Sequence, residues 1–396
     1  MPWRPRLVQA AAILLIVTAT IVPAAEPGRG SPLCLLCGDE ATSGFLLNIA
    51  LFVPLGLVLA WSGWSVKRTA LTGGVLSVLV ETAQWFIPGR HSALDDVVAN
   101  TIGAMVGAAL WIALPRLLDP DALVRRRLLV VATIVAVLAQ IATAILIVPD
   151  LPRSTWYGQW AAHFRGFEIY EGSILAVTLG SEPLHDGELR DSGAARDGLL
   201  SGFRLDVAAI AGRSPQRPAP IFSIADREYR TIIQILADRS DVLLRFMTRA
   251  ERAGFTPAEL RFRNATRDVR EGDTISLTLT HPGRWCVRLR DAADCRGFTV
   301  GSSWRFVAPT VAPDSALLDA AWLAILFVPV GYWGSRRTRP LALAVGVLPM
   351  FILPIAAPGM MMSALTFAGA AAGMLGGVLA GVAYARHSLR RGTGHA

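Results

Sequence analysis

The chain has 396 residues and a formal net charge of +8; 53% of its residues are hydrophobic and only 17% are charged. A soluble domain carries about 25% charged residues, and the apolar excess here falls in runs, which excludes an ordinary soluble protein. The basic surplus lies beside those runs, so it reads as a membrane-topology signal rather than as a nucleic-acid surface.

Eight stretches of about 17 residues or more are apolar enough to cross a bilayer: approximately 7–24, 43–62, 69–87, 96–114, 127–148, 316–333, 340–357 and 360–384. Five precede a long polar region and three follow it. Arg4 and Arg6, Lys67 and Arg68, Arg116 with Arg125 to Arg127, Arg336 to Arg339 and Arg386 to Arg391 all fall on one set of loops, whereas the opposite short loops hold Arg29 and Arg90. The positive-inside rule then places both termini in the cytoplasm and region 149–315 outside. The expected domains are 1–148 (five helices), 149–315 (the outer insertion) and 316–396 (three helices and a basic tail). Met1 to Ala25 has a basic start, an apolar core and a Pro-Ala-Ala exit, as a secretory signal does; cleavage would leave the downstream topology unchanged.

The loop 25–42 contains Cys34-Leu-Leu-Cys37. One C-x-x-C pair cannot complete a tetrahedral zinc site, and outside the membrane a local disulfide is the simplest reading. Thiol exchange is the alternative, although no thioredoxin-like pattern surrounds the pair.

Asn48 lies about one and a half turns into the second span, where an amide needs a partner. Glu81 and Gln84, three apart, share a face of the third span; Asp96 and Asn100, four apart, share a face of the fourth, which Gly103 and Gly107 continue. Asp95 adjoins this set, and Arg90 stands in the turn between the two helices. Carboxylates and amides at one depth of a membrane bundle are costly and by default mark a functional site. The plainer reading is a salt-bridged helix hairpin at the membrane surface.

The string Gly89-Arg90-x-x-x-x-Asp95-Asp96-x-x-x-Asn100-Thr101-x-Gly103, with Glu81-x-x-Gln84 before it and Asn48-Ile-Ala-Leu-Phe-Val-Pro54-Leu-Gly56 upstream, resembles the signature of the VanZ-like membrane proteins. The resemblance covers roughly residues 40–112. It implies a cell-envelope membrane protein of a family named for a determinant of resistance to the glycopeptide antibiotic teicoplanin, with no established reaction. It also implies that the first span is kept as a helix.

Region 149–315 changes character. Phe203 to Val207, Thr274 to Thr280 and Trp285 to Arg290 alternate polar and apolar residues, as half-buried strands do. Further strands are expected at 220–224, 230–237, 241–248, 258–263 and 298–307, with turn residues between them, which suggests an antiparallel β-sandwich. The stretches Pro220 to Asp226, Ile232 to Asp238 and Asp241 to Thr248 resemble the core of a concanavalin A-like, laminin G-like jelly roll. That resemblance implies glycan binding in some members and calcium in a few. Cys286 and Cys295 are expected to form a disulfide, which puts all four cysteines on the oxidising side. Asp186, Asp191 and Asp197 are the candidate calcium ligands, and otherwise no cofactor is expected. Trp156, Tyr157 and Trp160 follow the fifth span as an interfacial aromatic belt would, with sugar stacking as the alternative. Among the last three spans, Gly373, Gly376, Gly377 and Gly381 are expected to line a packing face.

The fold class is therefore a polytopic α-helical membrane protein of about eight transmembrane helices with an inserted extracytoplasmic all-β sandwich. Its expected partners are membrane lipids and an envelope glycan, glycolipid or lipoglycopeptide, with Asn48, Glu81, Gln84, Arg90, Asp95, Asp96 and Asn100 as the binding set. The alternative is an intramembrane enzyme using Glu81 and Asp96 for acid–base chemistry on a lipid-linked precursor.

Overall fold

The computed structural model describes residues 3–21, 40–87, 93–164, 166–281, 285–289, 292–308, 316–357 and 359–392. Cys34, Cys37 and Arg90 lie outside the described residues. The chain divides into two compact units, residues 1–123 with 253–256, and residues 124–252 with 257–396.

The first unit contains α1 (Trp3–Ile21), α2 (Ala41–Trp61), α3 (Val66–Gln84) and α4 (Leu94–Leu118). Ile16 of α1 packs on Phe52, Leu55 and Leu59 of α2. The closest approach is between α2 and α4. A Cβ added to Gly56 would stand 2.1 Å from the Ala104 carbonyl oxygen, and one on Gly107 would stand 2.1 Å from that of Val53. The glycines thus let the two backbones touch, as small residues do between helices in lipid.

The second unit begins with α5 (Ala122–Leu146). There follow β1 (Trp156–Trp160), β2 (Ser173–Leu179), β3 (Glu182–Pro183), β4 (Gly187–Glu188), α6 (Ser192–Ser201), β5 (Phe203–Ile210), β6 (Ala219–Asp226), β7 (Thr231–Asp238) and β8 (Asp241–Phe246). Next come α7 (Arg249–Arg252), β9 (Ala258–Phe262), β10 (Thr274–His281), β11 (Trp285–Leu289), β12 (Ala292–Arg296) and a 3-10 turn, Ser302–Phe306. The helices α8 (Ala316–Trp333), α9 (Arg339–Ala356) and α10 (Ala364–Gly392) complete it.

Two six-stranded antiparallel sheets form, in the orders β4-β1-β6-β7-β8-β9 and β12-β11-β10-β5-β2-β3. Their inner faces meet through Phe203, Phe246 and Trp285, whose rings lie 4.7–6.5 Å apart. β5 alternates buried and open positions and so keeps one wet face, whereas every residue of β6 is buried. That difference follows composition, since Ala219-Pro-Ile-Phe-Ser-Ile-Ala offers no solvent-facing set. Cys286 and Cys295 are register partners across β11 and β12 and are joined by a disulfide.

Two expectations for the β-region are corrected. Residues 298–307 are not a strand: Phe298 makes an isolated bridge to Met360, and the 3-10 turn follows. Trp156 does not belong to an aromatic belt; it is fully buried in β1, and its indole N–H donates to the Pro152 carbonyl at 3.2 Å.

Eight helices of 18 residues or more are present among the described residues. Six of them, α2, α4, α5, α8, α9 and α10, are long and apolar enough to cross a membrane. In α1 the described apolar stretch is confined to Leu7–Thr18. α3 is diluted by Lys67, Arg68, Ser77, Glu81 and Gln84. α8 and α10 pack as closely as α2 and α4. Added Cβ atoms on Gly369, Gly373 and Gly377 would lie 2.0–2.2 Å from carbonyl oxygens of α8. Gly381 makes ordinary contact with Tyr332, and Gly376 faces open space, so the latter drops out of the expected packing face.

Candidate functional site: the polar end of the four-helix unit

The touching backbones of α2 and α4 decide where the polar groups go. Asn48, Phe52 and Gly56 are spaced by four and share one face of α2; Asp96, Asn100, Gly103 and Gly107 share a face of α4. Gly103 lies against the Ile49 carbonyl, and this contact brings Asn48 onto Asp96, to whose Oδ1 its side-chain amide donates. Both side chains are half-buried.

α3 enters the same end through Glu81, which is only 7% exposed. The first residue flanking α4, Ala93, has no side chain able to cap a helix. Its N–H instead donates to Glu81 Oε2 at 3.1 Å. A carboxylate from a neighbouring helix thereby supplies the cap and meets the positive end of the α4 dipole. Asp95 Oδ1 takes a second N–H at that terminus, that of Asp96, at 3.1 Å.

The remaining expected residues diverge from this pair. Gln84 donates to the Thr20 carbonyl of α1 at 3.0 Å. Asn100 donates to Ser77 Oγ at 2.9 Å, in full burial. Its own Oδ1 has no hydrogen-bond partner among the described residues. Asn48, Asp96, Glu81 and Asp95 thus gather around the start of α4, while Gln84 and Asn100 hold the helices together on either side. Ser77 and Thr20 were not anticipated. Ser77 stands four residues before Glu81, so its place on the polar face of α3 was readable from spacing; the Thr20 contact uses a backbone carbonyl and leaves no sequence signal.

In the β-region, the three candidate aspartates do separate jobs. Asp186 Oδ1 accepts the Trp160 N–H at 3.1 Å, Asp191 Oδ1 caps α6 through the Ala194 N–H at 2.8 Å, and Asp197 pairs with Arg196 at 3.1 Å. Among the described residues no three His, Cys, Asp or Glu side chains are grouped to hold a metal ion.

No curated protein and no solved structure matches the chain. A family model described as VanZ/LLP1 matches residues 9–116, a span that reaches beyond the three motifs to take in most of α1 and nearly all of α4. Residues 9–116, with the polar end built by α2, α3 and α4, are a VanZ-like domain within a multi-pass membrane protein of the cell envelope.

Proposed function

We propose that this protein binds an envelope glycolipid, glycan or lipoglycopeptide at the polar end of its VanZ-like domain, without catalysing a reaction. The observation that carries the reading is the gathering of Asn48, Glu81, Asp95 and Asp96 at one end of three helices. Trp85 supplies the depth: it follows α3 directly and is 68% exposed, and tryptophan settles at headgroup level. A hydroxyl-rich headgroup offers donors to the carboxylates and acceptors to the amides. The loop charges put this end, both ends of the β-region and the sandwich outside, and both termini in the cytoplasm. The resemblance to a family named for teicoplanin resistance extends the proposal to altered glycopeptide susceptibility in cells.

Binding is favoured over acid–base catalysis because the carboxylates here are held by other groups of the protein, Asp96 by the Asn48 amide and Glu81 by the Ala93 N–H. The test uses the full-length protein in nanodiscs with a polyprenyl-linked disaccharide as probe. Saturable binding, weakened about tenfold or more by Asp96→Asn with the helical content unchanged, is expected. Equal binding by the variant would overturn the assignment of the site. Turnover of the probe, abolished by Glu81→Gln, would establish the enzymatic alternative.

A further inference from the structure

The second unit holds a cavity lined by none of the polar groups of the VanZ-like end. It lies between the β2–β3 hairpin, the β3–β4 connection and α6, and holds about 470 Å³. Its floor is apolar, built from Leu179, Leu184, Leu189 and Phe203, all of them buried. Its volume comes from missing side chains. α6 turns Ala194, Ala195 and Gly198 toward it, and a Cβ added to Gly198 would meet nothing within 4 Å. A helix glycine facing space beside an apolar floor is a poor way to close a core, since unfilled volume is destabilising. It is a good way to leave room for a ligand, and 300–1,000 Å³ is the usual range of such sites.

The rim decides the chemistry. Two of its charged groups are already used: Asp191 caps α6, and Arg204 forks onto Asp206 at 2.8 and 3.1 Å. The side chains of Glu182, Glu188, His185 and Arg190 stand exposed around the opening, with no side-chain hydrogen bond or ion pair among the described residues. The two uncommitted carboxylates outnumber the single uncommitted guanidinium. An apolar floor beneath a rim of net negative charge suits a small apolar molecule that carries a protonated amine.

We propose that the cavity between β3 and α6 is a binding site for a small amine-bearing apolar ligand, its body on Leu179, Leu184 and Phe203 and its ammonium at Glu182 and Glu188.

The probe is 4-phenylbutylamine, compared with 4-phenylbutanol and 4-phenylbutanoate, on full-length protein in nanodiscs, with saturation-transfer NMR read against empty nanodiscs. Saturable binding of the amine is expected, about tenfold tighter than the alcohol, with the carboxylate weakest. Gly198→Leu grows into open space and keeps the helix, so it should abolish binding while leaving the melting temperature in place. Glu182→Gln/Glu188→Gln changes exposed groups alone and should erase the preference for the amine over the alcohol. Amine binding unchanged in Gly198→Leu would overturn the location, and an amine preference that survives the double glutamine variant would overturn the chemistry. Absence of saturable amine binding to the parent protein would overturn both.

Discussion

Arg305 and Asp319 form a buried two-point ion pair, Nε to Oδ1 at 3.2 Å and Nη2 to Oδ2 at 3.0 Å, with side chains 9% and 1% exposed. Asp319 sits in the first turn of α8, and three more donors converge on it: Thr299 Oγ1, Ser302 Oγ and Trp304 Nε1, each at 2.8 Å. Five hydrogen bonds to one carboxylate clamp the 3-10 turn that leads out of the sandwich onto the start of α8. Losing one partner of such a pair costs about 3–5 kcal/mol. Asp319→Ala is therefore expected to lower stability more than Arg305→Ala, because it also strands Thr299, Ser302 and Trp304. The double change Arg305→Met/Asp319→Leu should be milder than the sum of the singles. Thermal unfolding of the full-length protein in detergent measures all of these, and additive losses would show that the two residues do not act as a unit.

Glycines on one helix should respond in opposite ways. Gly373 and Gly376 both lie in α10. The first would thrust a methyl to 2.1 Å from the Ala324 carbonyl oxygen, and the second meets open space. Gly373→Ala should cost about 1–3 kcal/mol as overpacking. Gly376→Ala should be neutral or stabilise by up to about 1 kcal/mol through helix propensity. Equal effects in melting experiments would mean that α8 and α10 do not touch at Gly373.

The β-region should carry a pH signature at each extreme. Burial works to raise the Asp206 carboxyl, but the hydrogen bonds from Arg204 and Thr278 and the Arg204 charge outweigh it and hold the pKa below the usual range. The folded value thus lies below the unfolded one, so this stabilisation is complete above about pH 4 and is lost as the pH falls through the folded value. Burial raises the Tyr170 phenol, against a smaller opposing hydrogen bond at the Gly212 backbone. Its contribution is complete below about pH 10 and is lost as the pH rises further. Melting profiles should show a flatter acid limb in Asp206→Asn and a flatter alkaline limb in Tyr170→Phe, each with the other limb unchanged.

Orientation is tested by labelling. A cysteine introduced at Ala265, in the turn after β9, is expected to react with an impermeant maleimide in intact cells, relative to the parent protein. One at Ser335, between α8 and α9, is expected to react after permeabilisation alone. The reverse pattern would invert the proposed topology.

Much of this architecture was legible because it rests on periodicity. The long helices follow apolar runs, and β5 to β11 follow alternation or short apolar blocks between turn residues. Trp156-Tyr-Gly-Gln-Trp160 misleads because two indoles beside a membrane span resemble an interfacial belt, whereas β1 pairs with β6 and draws Trp156 into the core. Phe298-Thr-Val-Gly-Ser-Ser-Trp-Arg-Phe306 alternates well enough for a strand. Its polar side chains are taken by Asp319, which lies in a different apolar run where no local pattern announces it. At the polar end, spacing placed Glu81 with Gln84 and Asp96 with Asn100, yet the four side chains go to four different partners. Spacing could not foresee that Glu81 would cap a neighbouring helix, since the need arises from what Ala93 lacks.

The glycine-lined contacts also limit how the membrane helices can move. Where carbonyl oxygens rest against α-carbons, as along α2 with α4 and α8 with α10, no side chain remains to change rotamer and absorb a displacement. Each pair behaves as a double strut that is stiff to separation and yields only by sliding or twisting about its seam. Within the first unit α1 instead meets α2 through side chains, Ile16 on Phe52, Leu55 and Leu59, so a displacement between that pair falls to rotamer changes.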